Sequence, residues 1–256
     1  PGHRVTVGPV SMKSVAIIAS AKPDLLALCL AALERFAPAV TAIVVTTKGL
    51  GAHEHAESIE RGRLLIGDAD HVIVMDDDTV VTSPWWYQTL TMRHTVSAAI
   101  IGGTKHRASV EQVIMDGILI PHASMLSFTR DAFDRAKSFD AEPGFDTGAR
   151  SCVDEAMRGG RVVVLPFHRL GLGPLYPGLE VGEYYEPGDE LRTLWAHLGR
   201  GTAFAPQSFL RESVRLVTAL VSARSAKIVR RHTLREAFIE RSWEIIEVEK
   251  PNAVRP

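Results

Sequence analysis

Three short apolar runs rich in β-branched residues, "SVAIIAS" (14–20), "VTAIVVTT" (40–47) and "HVIVM" (71–75), alternate with two segments of helical period, "PDLLALCLAALERF" (23–36) and residues 54–67. Runs that are apolar at successive positions belong to strands buried on both faces. Strand, helix, strand, helix, strand is the pattern of a parallel sheet with crossover helices. The predicted fold class is therefore α/β, a mostly parallel sheet flanked by helices. The third run passes directly into Asp76, Asp77 and Asp78. Ligands of such sheets bind beyond the carboxyl ends of the strands, and that is where these three carboxylates stand.

Further along, "SAAIIGG" (97–103) reads as a strand and "GILIPHASMLSFTRDAFDRA" (117–136) as strand, turn, strand and helix. "TGARSCVDEAMRGG" (147–160) reads as a helix closed by glycines, followed by the strand "RVVVLP" (161–166). Residues 168–189, rich in Gly, Pro and Tyr, read as a loop, and 207 to 248 as helical. Trp85 and Trp86, about 100° apart on a helix, are expected to send one ring into the core and one toward the cleft.

Three adjacent aspartates repel one another, and each is costly to desolvate without a partner. In an extended segment Asp76 and Asp78 point to one side and Asp77 to the other. Two hard oxygen ligands on one side suit Mg²⁺ or Mn²⁺, above all when a substrate phosphate completes the coordination. Gly199 and Gly201, in "LWAHLGRGTAF" (194–204), are candidates for close backbone approach to phosphate, with Arg200 and Thr202 as further donors.

With these pieces in this order, the stretch from 14 to 203 resembles the nucleotide-sugar glycosyltransferases of the GT-A fold, most closely the family-2-type group. The motifs that carry the resemblance are "VAIIASAKPDLLALCLAAL", "HVIVMDDDTVVTSPWW", "ASMLSFTRDAF", "SFD" and "GGRVVVLP". The resemblance implies a transferase that moves a hexose from a nucleotide-diphosphate sugar to a hydroxyl acceptor with inversion. Asp76 and Asp78 would then hold Mn²⁺ or Mg²⁺ on the donor diphosphate, His197 would be a third metal ligand, and Asp77 would face the ribose or sugar. Ser20, Ala21 and Lys22 occupy the nucleoside-contacting position, and Arg61 and Arg63 are candidates for the diphosphate. The acceptor's base would be Asp146, Asp154 or Glu155. This sequence lacks the family's common Glu-Asp pair at that slot, and "VVTTKG" replaces the aspartate many relatives carry after the second strand.

The implied organisation is a leader at 1–13, with Met12 as a natural start, a catalytic domain at 14–205 and a basic amphipathic helical extension at 206–256. Between 200 and 235 stand Arg200, Arg211, Arg215, Arg224, Lys227, Arg230, Arg231 and Arg235, against Glu212 alone, in a chain whose net charge is -1. That segment fits an anionic acceptor or surface: a membrane with a lipid-phosphate, the phosphates of a hydroxymethylated DNA, or a glycan. No obligate protein partner is evident. Cys29 and Cys152 are too few for a disulfide framework and suit a reducing compartment. Residues 1–13 lack a signal-peptide core, and the expected location is the cytoplasm, at a membrane periphery or on DNA.

Two other readings use the same aspartates. "VIVMDDDTVV" fits the first motif of haloacid-dehalogenase-like phosphatases, with Asp76 as nucleophile and Asp78 as acid/base. That motif normally opens its domain, whereas two α/β units precede it here. A non-catalytic nucleotide-binding module is the third class.

Overall fold

A computed structural model describes residues 12–21, 23–47, 51–103, 114–140, 145–171, 180–186, 189–199 and 243–244. The first half follows the predicted alternation: β1 (Ser14–Ser20), α1 (Pro23–Phe36), β2 (Val40–Thr46), α2 (Ala52–Arg63), β3 (His71–Asp76), β4 (Thr79–Val81) and α3 (Trp85–Val96). The second half adds β5 (Ala98–Gly103), β6 (Ile114–Met115), β7 (Ile118–Leu119), β8 (His122–Thr129), α4 (Arg130–Arg135), α5 (Ala149–Met157) and β9 (Arg161–Leu165). After these come β10 (Phe167–Gly171), β11 (Glu180–Glu186), β12 (Asp189–Gly199) and β13 (Trp243–Glu244). None of the described helices is long and apolar enough to cross a membrane.

The main sheet has the order β2-β1-β3-β8-β5-β9. Its pairs are parallel except where β8 enters antiparallel between β3 and β5. Alternate residues of a strand serve opposite layers. Ala16 and Ile18 of β1 and Ile73 and Met75 of β3 join α1 and α3 in one core layer. Val15, Ile17, Val72 and Val74 join α2, α4 and α5 in the other. This two-sided burial is why the strands read as unbroken apolar runs. β2 lies at the edge and is half exposed.

The described residues of 168–189 are strands rather than a loop. Their described parts form β10 and β11, which with β12, β4 and β13 make a second sheet of order β13-β10-β11-β12-β4. Pairing and aromatic burial override the Gly- and Pro-rich composition: Tyr184 lies opposite Trp195, their rings stack at 4.6 Å, and both are buried. Gly103 makes room for this layer, since a Cβ there would sit 1.9 Å from the Tyr184 ring. Within the expected helical extension, Trp243 and Glu244 are extended rather than helical, paired with Leu170 and Arg169. They belong to "WEIIEV", whose β-branched residues favour a strand. The remainder of that extension, including its basic residues, and the leader at 1–11 lie outside the described residues.

Register builds the site. Ser20 of β1 stands beside Thr46 of β2, and Ala19 beside Asp76, so three parallel strands end at one level. β8 runs against β3, with Met75 opposite Met125, which brings its first residue, His122, to that same end.

Candidate metal and nucleotide site

A cleft of about 220 Å³ opens at the carboxyl ends of the parallel strands, lined among others by Asp76, Asp77, Asp78, His55, His122 and Asp146. Asp76 is the last residue of β3, Asp77 and Asp78 form a turn, and Thr79 begins β4. Thr79 Oγ1 donates to the Ser124 carbonyl at 2.9 Å, which ties the turn to β8. β4 pairs with β12 and sets Thr79 opposite His197. His197 Nε2 consequently lies 3.2 Å from Asp78 Oδ1, with both side chains almost fully buried.

The three aspartates have different surroundings. Asp77 turns away from its neighbours, as the strand period predicts, and its Oδ2 accepts from Ser20 Oγ (3.0 Å) and from the Ala21 backbone N–H (2.8 Å). The nucleoside-side residues Ser20 and Ala21 are thereby clamped to the aspartate turn. Asp78 Oδ1 is buried and meets the His197 imidazole as an ion pair. Asp76 is the more open, with 30% of its side chain exposed, and its Oδ1 meets His55 Nε2 at 2.9 Å.

One ligand atom each from Asp76, Asp78 and His197 lies within 4.8 Å of the others, the only such group among the described residues. Two carboxylate oxygens and one imidazole nitrogen are a donor set for Mn²⁺ or Mg²⁺. Burial opposes the charged form of Asp76, yet His55 above all, with His197 and His122, holds its pKa below the ordinary value. Burial likewise opposes imidazolium at His197, where Asp78, Asp76 and Asp146 prevail and raise the pKa. His55 is also raised, by Asp76, Asp78 and Asp77 against burial. The Asp76 carboxylate thus remains charged at neutral pH.

The base candidates separate cleanly. Asp146 lines the cleft, with its Oδ2 3.5 Å from His122 Nε2. Asp154, on α5, is not among the lining residues. Glu155 does not face the cleft either: it is buried and receives both Arg135 Nη2 (2.7 Å) and Nε (3.0 Å), clasping α5 to α4.

The basic candidates are placed differently from expectation. Arg61 donates to the Thr46 carbonyl at 2.6 Å and to Ser58 Oγ at 3.3 Å, capping β2 outside the cleft lining. Arg63 stacks over Phe133 and Phe139 and donates to the carbonyls of Phe133 and Ala136, so it serves packing. Gly199 closes β12, its backbone paired with Glu180. Lys22, Gly201, Arg200 and Thr202 lie outside the described residues. Trp86 is buried as expected, but Trp85 faces outward, 47% exposed, and does not line the cleft.

Two site residues escaped the sequence reading. His55 stands near the amino end of α2, and helices that follow a parallel strand begin at the ligand-binding edge; that position was the available signal. His122 reaches the cleft only because β8 is antiparallel, and its ring packs on His197 at 5.1 Å between centroids. Nothing in the local sequence announces that reversal.

No protein-family model matches the sequence, and no curated protein matches it. Among solved structures the chain is similar to a mannosyltransferase from Pyrobaculum calidifontis in complex with GDP-Man and Mn²⁺, at 13% identity and a TM-score of 0.45. That match covers 62% of this chain and 56% of the mannosyltransferase, so the chain spans little more than half of that protein's length. It is also similar to glucosyl-3-phosphoglycerate synthase from Mycobacterium tuberculosis, solved with Mn²⁺, UDP-glucose and phosphoglyceric acid, at 12% identity and a TM-score of 0.45, covering 83% and 79% of the two chains. A third likeness is to a glycosyltransferase involved in glycosylation of the major capsid of PBCV-1, at 11% identity and a TM-score of 0.39, covering 59% and 81%.

Proposed function

We propose that the protein is a metal-dependent glycosyltransferase that moves a hexose from a nucleotide-diphosphate sugar to a hydroxyl acceptor, with inversion. The observation that carries the reading is the convergence of Asp76, Asp78 and His197 at the carboxyl ends of parallel strands. When bound there, Mn²⁺ or Mg²⁺ would neutralise charge on the departing diphosphate. Asp76, Asp78 and His197 hold the cation. Ser20, Ala21 and Asp77, already clamped together, form the nucleoside side of the cleft, with Lys22 nearby in the chain. Thr47 and Gly51 line that same side.

Asp146 is the base that accepts the acceptor hydroxyl's proton. It is the one carboxylate among the three base candidates that lines the cleft. The catalytic unit is assigned to 14–205, with Gly199 and Arg200 at the phosphate end. The basic segment at 200–235 engages an anionic acceptor or the surface that carries it.

The test is release of nucleoside diphosphate from a panel of nucleotide sugars, with Mn²⁺ and with a chelator. The reading predicts metal-dependent release from one donor. Phosphate release from phosphomonoesters with no use of any nucleotide sugar would favour the phosphatase chemistry of Asp76 instead.

A further inference from the structure

We propose that His55 is a positioning residue for the metal-binding carboxylate of Asp76. From the amino end of α2 its Nε2 sits against Asp76 Oδ1 and fixes the rotation of that carboxylate, so that an oxygen stays within reach of Asp78 and His197. The inference rests on the metal site proposed above and extends it to a residue outside the ligand set.

Four observations carry it. The Nε2···Oδ1 separation of 2.9 Å is an ion-pair contact, which sets the imidazole directly against the carboxylate. Asp76 is the aspartate of the turn most in need of such a partner: Asp77 is held by Ser20 and Ala21, and Asp78 is buried against His197, whereas 30% of the Asp76 side chain is exposed. His55 is itself well fixed. Its backbone N–H donates to the Gly51 carbonyl at 3.0 Å, and α2 seats closely on β1 where Gly62 meets Ile17. Finally, the close ligand group comprises Asp76, Asp78 and His197 without His55, so the imidazole acts through Asp76. Hydrogen-bond donors behind ligating groups orient them, and their loss typically costs 10- to 100-fold in metal affinity.

The experiment is a titration of Mn²⁺ into the protein without nucleotide or acceptor, with free Mn²⁺ followed by electron paramagnetic resonance. Wild type is compared with His55→Ala and His55→Gln; the glutamine amide restores a donor at the place of Nε2. The proposal predicts Mn²⁺ affinity weakened about 10- to 100-fold in His55→Ala and returned to within a few-fold of wild type in His55→Gln, with both variants melting as wild type does. Unchanged affinity in His55→Ala overturns it. Equal weakening in both variants, with one fewer nitrogen coupling to the bound Mn²⁺, overturns it in favour of direct ligation by His55. A wild-type protein that binds no Mn²⁺ overturns the metal reading itself, a result distinct from either.

Discussion

Thr79 and His197 face one another across the β4–β12 pair, and this one cross-strand register closes the candidate metal site. Asp78 immediately precedes Thr79, so a strand more than 100 residues later in the chain delivers its imidazole to the aspartate turn. A shift of β12 by one residue would send that side chain to the other face of the sheet.

Replacing either buried partner should therefore separate binding from folding. Asp78→Asn and His197→Ala are each expected to lower transfer by at least about 100-fold, while circular dichroism stays that of the wild type. Excess Mn²⁺ should partly restore His197→Ala, which keeps both carboxylates. Full activity in Asp78→Asn would remove Asp78 from the metal site.

Asp146 and Glu155 are predicted to fail in opposite ways. Asp146→Asn should lower kcat by about 10²- to 10⁴-fold and leave the melting temperature and the KM for the donor nearly unchanged. Glu155→Gln should spare kcat and cost roughly 1–3 kcal/mol of stability, because it unpairs the buried end of the Arg135 clasp while Arg135 itself is partly solvated. Steady-state kinetics and urea denaturation of the two variants decide between these assignments.

Gly62 is expected to tolerate no side chain. A Cβ there would lie 2.4 Å from Ile17 Cγ2 and lift α2 from β1. Gly62→Ala should cost about 1–3 kcal/mol, as overpacking does. It should also weaken Mn²⁺ binding, because α2 carries His55. A stability equal to wild type would show that α2 is not seated as described.

Much of this was legible in the sequence. The strand–helix alternation was readable because strands buried on both faces cannot hide their apolar runs, and the aspartate turn followed because it interrupts one of them. His197 became a candidate through its place in the order of the resembled family, not by any periodicity of its own. His55 and His122 were not found, since one depends on how closely a helix seats on the sheet and the other on a strand's direction, and single sequences encode neither locally. Arg63 and Glu155 looked like surface or site charges; their roles appear only once Phe133, Phe139 and Arg135 are placed around them. The glycines and prolines of 168–189 concealed a sheet whose stability lies in the pairing of Tyr184 with Trp195.

Stability should fall with acid through a pair of histidines far from the cleft in sequence role. His71 and His94 are buried and joined through Ser127 Oγ, at 2.7 Å from each Nε2. Burial, with His94 nearby, pushes the His71 pKa down to about 3, and burial also lowers that of His94. The unfolded chain takes up protons below about pH 6.5, where the folded chain resists them. This pair therefore costs nothing above about pH 6.5, and stability is lost as pH falls from there toward 3, by about 1 kcal/mol per pH unit through His71, with His94 acting in the same direction. The raised pKa values of His55 and His197 act oppositely, adding stability at low pH that fades as pH rises through them. In urea denaturation between about pH 7 and pH 4, His71→Phe should lose less stability with acid than wild type does. A slope unchanged in that variant would remove His71 as its source.

The central claim is that the Asp76, Asp78 and His197 group binds a divalent cation carrying a nucleotide diphosphate. Its most direct test is calorimetric titration of nucleoside diphosphates into the wild-type protein and Asp76→Ala, with and without Mn²⁺. The account predicts that one diphosphate binds wild type only when Mn²⁺ is present, and that this binding is lost in Asp76→Ala. Nucleotide binding of equal strength with and without metal, or retained in Asp76→Ala, would contradict it.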